Sequence, residues 1–356
     1  MTYYKFLERL TQMTESSIKL IGNPASPYTR KMIAYLRYKR IPYQVIWGEV
    51  SDVLKTMNIE PPKPILLPVF LLPRDGKLTA VTDSTPLIEE FENSYPERSV
   101  YPQDPSLRFI NYVLEDFGDE WCTKYMFHYR WHDQKDANNA GTILPLQTLG
   151  MLPDEMLNNF KEMISKRQID RLWVVGSNND TAPIIDASLK RLLNILEKHL
   201  ASSSYLISKR PASCDFALYG QLSQLVNFDP TPREICHQVS LRTVAWVGLI
   251  EDQSGVEVRE DQWGTVESLP TTVKDLLTEI GKGYVPAQLA NAKAIENGDK
   301  EWETEIDGCA WKQKSFPYQA KCLKWVNEEY NLLSEDDKKK INNLFDGTGC
   351  ERLILN

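Results

Sequence analysis

The stretch LIGNPASPYTRKMIAYLRYKRIPYQ (residues 20–44) decides the fold. Its first residues close an apolar run, SIKLIG (17–22), that reads as a strand. NPASP (23–27) is a turn, and YTRKMIAYLRYK (28–39) sets Met32, Ile33, Tyr35 and Leu36 on one apolar helical face. YQVIW (43–47) reads as a second strand. Downstream, PVFLL (68–72) and LTAVT (78–82) flank Asp75-Gly76, a pair suited to a tight hairpin because both residues tolerate positive φ. TPLIEEFENSYP (85–96) then reads as a helix stopping before Pro96. Strand–helix–strand followed by strand–strand–helix predicts a four-stranded mixed sheet with two helices, one small α/β unit over 18–100.

The pattern changes after Tyr101-Pro102 and Asp104-Pro105. From 106 to 250 helical periodicity dominates, at 107–131, 155–172, 187–200, 215–226 and 240–252, which predicts an all-helical second domain. Residues 1–17 carry Phe6, Leu7, Leu10 and Met13 on one face and read as a short leader helix. The extension 251–356 reads as mainly helical (271–284, 286–299, 317–333, 334–345). It has one hairpin in EWETEIDGCAWKQ (301–313) around Asp307-Gly308, and Ser334 caps its last helix.

The 356 residues carry 41 Lys and Arg against 49 Asp and Glu, a net charge of -8. Residues 1–250 hold 28 of each sign, and 251–356 hold 13 basic and 21 acidic residues, so the whole excess lies in the extension. An acidic balance argues against a general nucleic-acid binder, which needs a basic face. The most apolar run, PILLPVFLLP (64–73), is ten residues with three prolines. A membrane span needs about 20. Glu8 and Glu15 interrupt the N-terminus, which does not read as a secretory signal. The six cysteines show no CxxC spacing and read as reduced thiols, which implies a cytoplasmic setting. No GxGxxG, GxxxxGK[ST] or GxSxG is present, so nucleotide and α/β-hydrolase readings have no footing.

Three segments, taken in order, make the chain similar to the cytosolic glutathione transferase family. They are 20–44, with Ser26 between strand and helix; LLPVF (66–70) followed by DGKLTAVTDSTPLIEEFENSYP (75–96); and RPASCDFALYGQLSQL (210–225). The resemblance covers about residues 18–250 and leaves the extension outside. It implies a thioredoxin-like glutathione-binding domain followed by an all-α domain, with glutathione as co-substrate, no metal and a possible homodimer. It also implies a cis peptide before Pro68 and an acidic–Ser pair, Asp83-Ser84, opening the next helix. One departure is Ala212, where the family often has Ser or Thr three residues before Asp215; Ser213 is the alternative cap. Another is serine rather than cysteine at position 26. Serine forms no mixed disulfide, which favours transfer, conjugation or isomerisation over thiol exchange.

Each implied role has a physical basis. A free thiol has a pKa of about 8.5, and only the thiolate is the nucleophile. The Ser26 hydroxyl can donate to the sulfur, and the helix N-terminus behind it favours an anion. Asn23, Tyr28 and Tyr3 or Tyr4 are alternative partners for the thiol. A cis Pro68 leaves the Leu67 backbone free to pair with the cysteinyl backbone of an extended peptide. Asp83 can receive the γ-glutamyl amine and Ser84 its carboxylate, although Ser84 is also an ordinary N-cap. The resemblance places the second substrate between the domains, against WCTKYMFHYRWH (121–132). Trp121, Tyr125, His128 and His132 share one helical face there and could line a groove for an apolar electrophile; plain core packing is the alternative. With no HExxH and no nearby third ligand, the two histidines do not read as a metal site. The expected function is thus a glutathione-dependent transferase acting on an electrophilic small molecule. Its rivals are a non-catalytic binding or interaction module of the same fold and a glutathione-dependent isomerase or dehalogenase.

Overall fold

The computed structural model describes residues 17–354, so the proposed leader helix, with Tyr3 and Tyr4, falls outside the described residues. Strands β1 (Ile18–Gly22), β2 (Tyr43–Trp47), β3 (Val69–Arg74) and β4 (Lys77–Val81) form one sheet in the order β2-β1-β3-β4. β2 runs parallel to β1, and β3 and β4 are antiparallel to their neighbours. The β3–β4 turn places Asp75 at φ 49° and Gly76 at φ 74°, as an Asp-Gly hairpin requires.

The strand pleat sends alternate side chains to opposite faces. Leu20, Phe70 and Leu72 join the core that holds α1 (Pro27–Lys39) and α3 (Ser84–Ser94). Ile21, Val69 and Leu71 pack instead with Val50 and Leu54 of α2 (Val50–Thr56). This short helix has no counterpart in the sequence reading, because seven residues hold too little periodicity to separate helix from loop. The thioredoxin-like α/β unit and the mostly helical remainder are both present.

The remainder begins with α4 (Pro105–Asp116), a π-turn at Phe117–Trp121, and α5 (Cys122–Trp131). The helix expected over 107–131 is therefore broken by a wider turn that shifts the register of everything after it. Then follow α6 (Gln134–Leu149), α7 (Asp154–Ile169), α8 (Ala182–His199), α9 (Ser213–Asn227), α10 (Pro230–Val239) and α11 (Leu241–Ile250). α6 and α10 were not predicted. α6 contains Pro145 and weak helix formers, and α10 opens on Pro230 and Pro232. The start of α9 settles the capping question against Ser213. The Asp215 carboxylate accepts from the Ala212 and Leu206 backbone N–H groups at 2.8 and 2.9 Å, while the Ser213 hydroxyl accepts from Asn111 at 2.7 Å. α9 lies against α1 so closely that a Cβ on Gly220 would fall 2.6 Å from the Pro27 carbonyl oxygen.

Residues 251–270 are irregular apart from two short 3₁₀ turns. Arginines of the α/β unit hold the first part of this segment by its backbone. Arg37 donates to the Glu251 carbonyl at 3.0 Å, Arg40 to Ser254 at 2.7 Å, and Arg98 to Gln253 and Val256 at 3.1 and 2.6 Å. Next come α12 (Thr271–Lys282), α13 (Tyr284–Asn297), the hairpin β5 (Glu301–Ile306) and β6 (Cys309–Lys314), α14 (Pro317–Asn331) and α15 (Glu335–Phe345). Asp307 and Gly308 take positive φ in the hairpin turn, and Ser334 caps α15 by accepting from the Asp337 N–H. The extension is not a loose appendage. Its Leu276, Ile280, Trp311, Val326 and Phe345 are buried in the same core cluster as α4 and α8. Among the described residues no helix is long and apolar enough to cross a membrane.

Candidate functional site

Three chain segments meet at one end of the sheet. β1 lies antiparallel to β3 with Ile21 opposite Val69, so the loop leaving β1 runs beside the residues that lead into β3. β4 ends at Val81, opposite Phe70, which brings Asp83 and Ser84 to the same end. The Thr82 hydroxyl donates to the Leu66 carbonyl at 2.9 Å and ties two of these segments together. Ser26, Leu67, Pro68, Asp83 and Ser84 therefore share one end of the sheet because of strand register. The Leu67-Pro68 peptide is cis, and Leu67 precedes the paired ladder, which begins at Val69.

Ser26 is the N-cap of α1, its hydroxyl oxygen accepting from the Thr29 N–H at 3.2 Å. That bond uses a lone pair and leaves the hydroxyl proton available to donate. The alternatives are more committed. Both ends of the Asn23 amide are engaged, the oxygen by the Ala25 N–H at 2.8 Å and the nitrogen by Thr148 at 2.9 Å. The Tyr28 hydroxyl donates to the Asp119 carbonyl at 2.8 Å, and burial holds its pKa well above the usual phenol value. Tyr28 thus anchors the loop to the π-turn. Arg130 grips the same loop from α5. It donates to the Ala25 carbonyl at 2.7 Å, to both Asp229 oxygens at 3.0 Å and to Gln224 at 3.0 Å.

Asp83 is the N-cap of α3 at φ 86°, an unusual conformation for a non-glycine residue, and its side chain does not cap the helix. A residue held there stores strain of about 1–3 kcal/mol, which is a reason to look for function. Its carboxylate accepts from the Tyr318 hydroxyl, at the start of α14, at 3.0 Å. The Ser84 hydroxyl is buried with the Lys31 ammonium 3.4 Å away.

Lys31 is the centre of a buried charge cluster. It pairs with Glu115 at 2.8 Å and Asp119 at 2.6 Å, which holds its pKa above the usual lysine value despite burial. The π-turn sets Asp119 and Glu120 beside Asp116, whose carboxylate accepts from Tyr284. Burial, with Asp116 and Asp119 adding negative charge, pushes the Glu120 carboxyl up to about 8, so it stays protonated at neutral pH. A carboxyl raised on folding binds its proton more tightly in the folded than in the unfolded chain. Its stabilisation is fully present below the unfolded pKa and is lost as pH rises from about 4.5 through about 8. The slope is about 1.4 kcal/mol per pH unit for one proton. Thermal unfolding of Glu120→Gln, followed from pH 5 to pH 8.5, is expected to show a shallower fall in midpoint than wild type. Identical pH slopes would mean that Glu120 ionises normally.

The aromatic stripe has core partners. Trp121 and Tyr125 are fully buried, with the indole N–H donating to the Tyr125 hydroxyl at 2.8 Å and that hydroxyl 2.8 Å from Ser188 of α8. Ser188 in turn donates to Glu279 of α12 at 2.6 Å. His128 bonds Ser177 at 2.7 Å, and burial lowers its pKa to about 4, so it is neutral. His132 is half-buried, its ring 4.6 Å from that of His128. Of the four residues expected to line a groove, Trp121, Tyr125 and His128 are buried and His132 is half-buried. At Trp121 and Tyr125 the spacing that would line a groove on an exposed helix lines a core, because Ser188 of α8 and Trp311 of the extension pack against them. Among the described residues no group of three or more His, Cys, Asp or Glu is set to hold a metal ion. Sequence reasoning missed Lys31, Arg130 and Tyr318. Only the Glu115/Asp119 pair, one helical turn apart, hinted at a partner.

Residues 20–99 match the family model described as glutathione S-transferase, N-terminal domain. Glutathione S-transferase U3 of Arabidopsis thaliana is 27% identical over 164 residues, 46% of this chain and 70% of that protein. Glutathione S-transferase U6 of the same plant is 27% identical over 103 residues, 29% of this chain and 44% of that protein, less than half its length. Among solved structures, the β-etherase LigF of Sphingobium sp. strain SYK-6 is 18% identical with a TM-score of 0.45, the alignment covering 66% of this chain and 94% of that one.

Proposed function

We propose that the chain, whose residues 20–99 match the glutathione S-transferase N-terminal domain, binds glutathione at this end of the sheet and activates the thiol for attack on an electrophilic small molecule. One observation carries the reading. Strand register gathers a helix-capping serine with a spare proton, a cis-proline segment outside the ladder, and an acidic–Ser pair opening a helix. The cysteinyl backbone pairs with Leu67. The γ-glutamyl ammonium meets Asp83, and its carboxylate meets Ser84 and the first N–H groups of α3. The Ser26 hydroxyl donates to the sulfur while the N-terminal end of α1 contributes roughly half an elementary charge, and both favour the thiolate. The thiol proton leaves to solvent, the sulfur forms a bond to an electrophilic carbon, and the leaving group or the opened double bond takes the displaced electron pair. The same thiolate serves isomerisation or dehalogenation. A cytoplasmic setting, a detoxifying role and a homodimer accompany the reading as family properties.

The test is Ser26→Ala with glutathione and an aryl halide. A bond worth about 1.4 kcal/mol in the transition state is worth tenfold in rate, so turnover is expected to fall at least about tenfold. Unchanged turnover removes Ser26 from the mechanism. Retention of wild-type protein on immobilised glutathione without a thiolate absorbance difference favours the binding module over the enzyme.

A further inference from the structure

We propose that the extension completes the glutathione site, with Tyr318 as the positioning residue that aims Asp83 at the γ-glutamyl amine. The inference rests on the glutathione reading and adds to it a side chain from outside the segment that matches the family's N-terminal domain.

Asp83 has the properties of a ligand-binding carboxylate. It holds a strained φ of 86°, does not cap its own helix, and is only half-buried. A carboxylate has two oxygens, and the Tyr318 hydroxyl donates to Oδ2 at 3.0 Å. Tyr318 thereby fixes the rotation of the group and leaves Oδ1 for an ammonium. Tyrosine suits this task because its hydroxyl donates without bringing a positive charge, which would compete with the amine.

Tyr318 is itself held firmly. Pro317 starts α14, and the Phe316 residue before it is clamped by fully buried Asn291 of α13. The Asn291 side chain accepts from the Phe316 N–H at 2.8 Å and donates to the Phe316 carbonyl at 2.9 Å. Gln319, the next residue, donates to the Glu120 carbonyl of the π-turn at 3.4 Å. The Tyr318 ring lies edge-on to Trp325 at 6.4 Å between centroids. The hydroxyl is therefore presented from a rigid helix start, so Asp83 is ordered before a ligand arrives. Ordering one side chain in advance is worth about three- to tenfold in affinity.

The experiment compares full-length wild type with Tyr318→Phe, which removes one oxygen and keeps the ring packing. Each protein is titrated calorimetrically with glutathione and with an analogue lacking the α-amino group of the γ-glutamyl residue. Thermal unfolding of both confirms that the variant is folded. The variant is expected to bind glutathione about three- to tenfold more weakly, with the loss in KM rather than kcat, and to bind the analogue as wild type does. Equal or tighter glutathione binding by the variant overturns the proposal. So does an equal loss for both ligands, which marks Tyr318 as a structural anchor of the extension. If wild type binds no glutathione, the glutathione reading itself fails and this inference falls with it. A wild type that binds beside an unaffected variant removes the inference alone.

Discussion

Lys31→Met lowers the unfolding free energy by about 3–5 kcal/mol at pH 7, the usual cost of removing one partner from a buried ion pair. Lys31 is fully buried, and its ammonium lies within 3 Å of carboxylate oxygens on two residues, Glu115 and Asp119. Both belong to the helical part of the chain, whereas Lys31 lies on α1 of the α/β unit, so the cluster fastens one part to the other. Methionine fills much of the volume but leaves two carboxyls without a cation, beside Asp116 and Glu120. They cannot reach water and must take up protons instead. The loss is therefore expected to shrink as pH falls, since protonation removes the charge that burial penalises. Urea unfolding at pH 7 and pH 5 checks both statements. A loss under about 1 kcal/mol at pH 7 would show that the cluster contributes little net stability, as some buried ion networks do.

Arg130→Met should cost a similar amount, about 3–5 kcal/mol, and should also weaken glutathione binding. Arg130 satisfies the buried Asp229 carboxylate with both oxygens at 3.0 Å, and Asp229 is the N-cap of α10. Burial pushes the Asp229 carboxyl up to about 6 even with the guanidinium beside it, so the arginine is what keeps it ionised near neutrality. The third arm reaches the Ala25 carbonyl, one residue before Ser26. Losing it frees the loop that carries Ser26. Arg130→Lys separates the two effects. A lysine restores the charge but offers no planar fork for three partners. It should recover part of the stability and little of the glutathione affinity. Denaturant midpoints and glutathione titrations on both variants decide the matter. A methionine variant as stable as wild type, or one that binds glutathione as wild type does, contradicts the assignment.

What could be read in advance was local. Asp75-Gly76 and Asp307-Gly308 named their hairpins because few residue pairs accept positive φ at both positions. Ser26 named a helix start because a hydroxyl before Pro27 satisfies the first free N–H groups. The resemblance supplied the cis Leu67-Pro68 peptide, which no periodicity encodes. Lys31 escaped notice because a lysine on an amphipathic helix is ordinarily solvated, and its partners lie more than 80 residues away in sequence. The π-turn escaped because apolar spacing tracks side chains, not an extra residue in the backbone ladder. Trp121 and Tyr125 were legible as a stripe, with groove and core both left open.

The sequence by itself determined the order of the strands and of most helices, the two hairpin turns, the caps at Ser26 and Ser334 and the placement of the acidic excess beyond residue 250. These are short-range properties, set by φ/ψ preference, side-chain period and composition. Only the tertiary structure decided that the acidic extension shares the core of α4 and α8 and brings Tyr318 to Asp83. That outcome depends on which apolar faces find each other across long separations in the chain. Local patterning marks a face as apolar without saying what will cover it.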